Sequence, residues 1–185
     1  SGKPLLQLNN ISNNGLLDIS DIFYISESDY DRWISRCEAS PGDCVITNVG
    51  RVGAVAQIPE GFKAALGRNM TCVRCKSTYP YPAFLIECLI SDSMRFEIIN
   101  KTDSGTILDA LNVRSIPKLR FVCPDTESFI SFEKLVRPMW QQMEHNIREN
   151  YLLINLRDAL LPKLMSGEID VSQITTPDVN SSYVL

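Results

Sequence analysis

Between residues 128 and 165 the apolar side chains return at three- and four-residue intervals: Phe129, Phe132, Val136, Met139 with Trp140, Met143, Ile147, Tyr151 with Ile154, and Leu161. That is the period of one helix face, sustained far beyond the length of an ordinary globular helix. At 1.5 Å per residue such a helix reaches roughly 55 Å, more than a small domain can cover with its own packing. The spacing therefore predicts a coiled-coil-type helix that meets another helix, with Phe132, Val136, Met139, Met143, Ile147, Ile154, Leu160, Leu161 and Leu164 facing the partner. Pro138 is expected to kink or divide the helix, because proline lacks a backbone donor and clashes with the preceding turn. Asn146, Asn150 and Arg157 interrupt the stripe, as residues that fix register do. Gly167 should end the helix, and residues 170–185 read as a polar, disordered tail.

A chain of 185 residues and 20.8 kDa has room for one core plus this appendage. No run approaches the eighteen apolar residues that a membrane span needs. Before the helix, short apolar runs alternate with turn chemistry, which predicts a mixed α+β body. Residues 5–8 and 22–25 read as strands, and Ser26 or Ser28 caps a short helix through 29–35. After the turn Pro41-Gly42-Asp43, residues 44–47 and 52–58 read as strands joined through Asn48-Val49-Gly50-Arg51, with a further strand at 69–75. Residues 83–90 and 94–99 read as two short helices or one bent helix, followed by a polar loop at 100–105. Thr106 with Asp109 opens a helical turn, and 118–123 reads as a last strand before Pro124.

The net charge of −4 conceals a segregation. Residues 1–48 hold three basic side chains against seven acidic ones, whereas residues 49–120 hold ten against six. Within the basic part Arg51, Lys63, Arg68, Arg74 and Lys76 meet one acid, Glu60. An electropositive surface is compatible with the acidic total, although scattered side chains on a solvated face fit the same counts. Arginine and lysine near polar turns suit phosphate contacts, and arginine and asparagine add bidentate contacts to bases. Arg51, Arg68, Asn69, Arg74 and Lys101 are the candidates on these grounds, and protein binding is the competing use.

Catalytic and metal chemistry find little footing. The six cysteines include one CxxC, Cys72 and Cys75, but a structural zinc site needs four ligands and no second pair exists. The first residues show no charged stretch leading into an apolar run, so a cytoplasmic chain with reduced, structural thiols is expected, without disulfides or bound metal. His145, the sole imidazole, lies on the long helix, where packing is the simpler role. Gly50-Arg51-Val52-Gly53 is a GxxG, but it links two strands instead of opening a helix, so a phosphate cradle is poorly supported. An enzyme acting alone is not expected.

Residues 155–169, NLRDALLPKLMSGEI, closely resemble the end of the conserved helix in DNA specificity subunits of type I restriction-modification enzymes. Pro41 to Thr47 with Gly50-Arg51-Val52-Gly53 resembles the family's gD-apolar-GxxG segment, and Ser104-Gly105-Thr106 with Leu111 its G-T…L loop. Residues 116–124 resemble the strand leading into that helix. The resemblance implies a target-recognition domain over 1–126 that lacks its opening segment, and a spacer or dimerisation helix over 127–169. Lys63 and Lys76 of the basic segment, with Ser104 and Thr106 of the resembling loop, complete the DNA-facing set. The resemblance also implies a non-catalytic subunit that reads one half of a bipartite duplex DNA target and docks methyltransferase and restriction subunits. S-adenosylmethionine, ATP and magnesium would then be bound by those partners and no cofactor by this chain. Family members carry two such units, so the chain resembles a C-terminal part or a half-subunit that meets its second half or copy through the helix. A coiled-coil scaffold without DNA binding, or a cysteine-based metal module, are the alternatives.

Overall fold

The computed structural model describes residues 2–103, 109–170 and 172. Its first sheet centres on β1 (Lys3–Leu6), which pairs antiparallel with β2 (Phe23–Ile25) and parallel with a two-residue strand, β5 (Ala65–Leu66). Between β2 and the second sheet lies α1 (Glu27–Ile34). Of the two serines able to cap it, Ser26 does so: its hydroxyl accepts from the Asp29 N–H at 3.1 Å. Tyr30 is the buried face of α1, in a cluster with Leu5 and Ala65, and its hydroxyl donates to Glu38 at 2.9 Å. Burial, then the Glu38 carboxylate, push that phenol up to about 12.

The second sheet has the order β4-β3-β6, with β3 (Cys44–Thr47) buried throughout between β4 (Val55–Gln57) and β6 (Met70–Val73), both antiparallel to it. The strand expected at 52–58 is shorter because residues 48–54 turn back on themselves. The Thr47 hydroxyl accepts from the Ala54 N–H at 3.1 Å, and Gly53 stands at φ +77°. A Cβ on Gly53 would lie 2.9 Å from Ile98, so this turn needs glycine both for its backbone and for the close approach of a helix.

That helix is α3 (Asp92–Asn100), preceded by α2 (Pro82–Ile90). They are two helices because Ser91 is extended, and its hydroxyl accepts from the Met94 N–H at 3.2 Å to start the second. Ala83, Ile86 and Leu89 of α2 and Met94 and Ile98 of α3 share one core with Cys44, Ile46 and Val55 of the sheet. After α3 comes a small ladder, β7 (Thr102–Asp103) with β8 (Ala110–Leu111), which puts the buried Leu111 into the same core. Ser104, Thr106 and the turn expected to begin there lie outside the described residues, as do 171 and 173–185 of the polar tail.

The strand expected at 118–123 is not formed, a correction to the sequence reading. Residues Val113–Lys118 form a 3-10 helix, begun by the Asn112 side chain accepting from the Arg114 N–H at 2.9 Å. Pro117 offers no donor to a ladder, and Leu119 and Ile116 turn onto the core, so residues 119–125 run on without a strand partner.

The long helix is α4 (Thr126–Met165), 40 residues begun by Asp125, whose carboxylate accepts from the N–H and hydroxyl of Ser128, both at 2.8 Å. It is not divided at Pro138: the ring removes one bond of the ladder, and the apolar anchors Phe129 and Trp140 on either side are buried. Gly167, at φ +76°, closes it as the sequence predicts. The chain separates into two compact units, Ser1–His145 and Asn146–Leu185. In the first, α4 is held by Trp140, whose indole N–H donates to Glu87 at 2.9 Å, and by Glu133. The Glu133 carboxylate accepts from the Ala83 N–H at 3.0 Å and the Phe84 N–H at 3.2 Å, capping α2 from another helix. Among the described residues no helix is long and apolar enough to cross a membrane.

Candidate nucleic-acid interface

The three loops that the basic sequence segment supplies are gathered by one buried side chain, Asn48, at the end of β3. Its amide N–H₂ donates to the Leu111 carbonyl at 3.0 Å, its oxygen accepts from the Thr71 hydroxyl at 2.8 Å, and its backbone N–H donates to the Asn69 carbonyl at 2.7 Å. With the Val49–Ala110 bridge, this fixes the 48–54 loop, the turn before β6 and the β7–β8 ladder against one another. The signal in the sequence was an asparagine following an apolar run, which reads as turn chemistry and conceals a buried hub.

Arg51 and the turn residues Arg68 and Asn69 lie at this end of the sheet. Arg51 is already engaged: its guanidinium donates to the Leu8 carbonyl at 2.8 Å and the Ile11 carbonyl at 2.5 Å, holding the 3-10 helix Leu8–Asn10. Asn69 takes a left-handed φ of 63°, and Arg68 beside it is exposed with no partner among the described residues. Lys101 forms an ion pair with Glu97 at 3.2 Å, one helical turn back.

Lys63, Arg74 and Lys76 sit towards the opposite end, roughly 13 Å away along β6 at about 3.3 Å per residue. There Arg74 clasps the buried Asp43 carboxylate at 2.7 and 2.5 Å and donates to the Glu38 carbonyl at 2.8 Å. Hydrogen bonding to Asp43 holds the Arg74 guanidinium firmly protonated. Lys63 pairs with Glu38 at 3.3 Å, while the Lys76 side chain is exposed without a partner among the described residues. The expected cations are thus split between two ends, and Arg51, Lys63, Arg74 and Lys101 each bind another part of the fold. Three exposed cations outside that set, Arg114, Lys118 and Arg120, have no such partner among the described residues. Their signal in the sequence was the absence of any acid between Asp109 and Asp125.

The thiols are free. Cys72 lies on β6 with Cys37 as its thiol neighbour, while Cys75 lies beyond the strand beside Tyr81. Burial pushes the Cys44, Cys72, Cys75 and Cys88 thiols up, the reverse of what a nucleophile or a metal ligand needs. Among the described residues no three His, Cys, Asp or Glu side chains converge on a common point suited to a metal. His145 is exposed on α4.

Of the residues expected to face a second helix, Phe132 and Val136 pack within the first unit. Phe132 meets Phe84 edge-on at 5.9 Å, and Val136 lies on the main core. Met139 and Met143 are exposed, Ile147 is half-buried, and Ile154, Leu160, Leu161 and Leu164 are exposed along the second unit.

No family model matches the chain. Two curated proteins are similar to part of it. The specificity subunit of the type I restriction enzyme MjaIX from Methanocaldococcus jannaschii is 31% identical over 91 residues, covering 49% of this chain and 21% of that subunit. The HindI specificity subunit from Haemophilus influenzae is 33% identical over 86 residues, 46% of this chain and 19% of its own length. The chain spans about one fifth of the length of these relatives, and about half of it is a segment similar to type I restriction enzyme specificity subunits.

Proposed function

We propose that this chain is a non-catalytic DNA-recognition part of a type I restriction-modification complex. The α+β body before the long helix is the domain that reads one half of a two-part duplex target, and α4 is the helix that sets the distance to the other half. The methyltransferase and restriction subunits dock on the complex and bring S-adenosylmethionine, ATP and magnesium. The similarity to two specificity subunits over about half the chain carries this reading. The polar end gathered by Asn48, with Arg68 and Asn69 at its surface, supports it by supplying groups that suit phosphate and base contacts.

Affinity capture of the tagged chain from its source cells, followed by mass spectrometry, tests the reading. An adenine methyltransferase recovered in stoichiometric amount supports it. Recovery of the chain without one, from cells that express one, rejects it.

A further inference from the structure

We propose that Arg114, Lys118 and Arg120 form a strip that contacts the phosphates of a duplex DNA backbone, an inference that rests on the DNA-recognition reading above. The three cations lie within seven residues, and no acidic side chain occurs from residue 110 to 124. All three are exposed, and none of their side chains has a hydrogen bond or ion pair among the described residues. The other acid-free basic stretch, from Lys63 to Lys76, differs in this respect, since Lys63 and Arg74 are held by Glu38 and Asp43. A cation paired within the fold must surrender that partner to meet a phosphate; these three have none to surrender.

The backbone presents them on a fixed support. Asn112 starts the 3-10 helix, and Ile116 and Leu119 pack against the main core. Leu119 is extended, at φ −63° and ψ 136°, and half-buried between two exposed neighbours, so Lys118 and Arg120 stand together on the outer side. Two residues of extended chain advance about 6.6 Å. Successive phosphates of one strand rise about 3.4 Å along the duplex axis and also turn about it, so the pair is spaced on the scale of neighbouring phosphates. Arg114 lies about 8 Å further back, at about 2 Å per residue of 3-10 helix. A row of fixed positive charge at this spacing suits a repeating polyanion better than the irregular charge of an acidic protein surface.

The test measures binding of the full chain to a duplex by fluorescence anisotropy from 50 to 200 mM salt. The wild type is compared with an Arg114→Ala/Lys118→Ala/Arg120→Ala variant whose melting temperature is checked for equality. Loss of three phosphate contacts should make the plot of log K against log salt shallower by about 2.7. A variant carrying Arg114→Lys and Arg120→Lys should keep the wild-type slope, because phosphate contact needs charge and not a planar fork. A wild type that binds with a slope the triple variant shares overturns the strip and leaves the DNA reading standing. A wild type that binds no duplex at any salt overturns both. Polyglutamate bound as tightly as duplex assigns the strip to acidic protein surfaces and overturns the proposal.

Discussion

Gly15 stands at φ +84°, and a Cβ added there would lie 2.6 Å from the indole of Trp140. Two costs meet at this position: the left-handed backbone, and contact with a large ring that is itself buried and hydrogen-bonded to Glu87. Gly15→Ala should lose about 2–3 kcal/mol in urea unfolding, with a shift in tryptophan emission. A loss below about 0.5 kcal/mol would show that the ring moves aside freely. Asp125 supplies a pH dependence of defined sign. Hydrogen bonds from the Ser128 backbone and hydroxyl hold its carboxyl below the ordinary 3.8, so the folded state favours the charged form. Its contribution is complete above the unfolded value and disappears as pH falls through the lower folded one. The stability gap between wild type and Asp125→Ala should therefore be constant from pH 7 to 5 and close towards pH 3. A gap that widens on acidification contradicts the cap. These residues also mark what the sequence conceals. Arg74 reads as a free cation until its partner, 31 residues away in Asp43, is brought beside it, because charge is local information and pairing is not.

At the level of elements, α2 lacks a cap of its own: Tyr81 at its start makes no side-chain hydrogen bond to it. Glu133 of α4 fills that place with a negative charge, where the N-terminal dipole favours one, and Arg137 pairs with it at 3.6 Å. Glu133→Ala should cost about 1–2 kcal/mol, and Glu133→Gln less, because the amide oxygen still accepts. Equal losses for both variants would show that the charge, not the acceptor, matters. Such a cap joins residues 50 apart and is invisible to pattern reading, whereas β3 was legible to its bounds because Asp43 and Asn48 punctuate a short run that includes the β-branched Val45, Ile46 and Thr47. The two-residue strands β5, β7 and β8 were missed because nothing in two residues specifies a strand; the neighbours they pair with do. The stretch at 118–123 failed in the opposite way, its alternation arising from Leu119 turning inward between cations with no strand beside it.

At the scale of the whole molecule, the apolar stripe of residues 128–165 separates into two uses at about the division between the two units. Up to Trp140 much of it is covered by the first unit's own core; along the second unit Leu153, Ile154, Leu160, Leu161 and Leu164 remain 37–54% exposed. Water-exposed leucines repeated at helical intervals have a low-cost remedy, the same face of another helix, and a second copy of the chain supplies it in isolation. The purified chain should therefore sediment as a dimer of the 20.8 kDa protomer at tens of micromolar and dissociate on dilution. Placing carboxylates in the seam, with Leu161→Glu and Leu164→Glu, should shift the dissociation constant at least tenfold, since two charges would otherwise be desolvated. Those substitutions lie on exposed positions of the second unit, so the first unit's melting temperature should not change. A monomer at high concentration in the wild type would show that the stripe is shielded without a second copy. A dimer indifferent to the double substitution would place the contact on another surface.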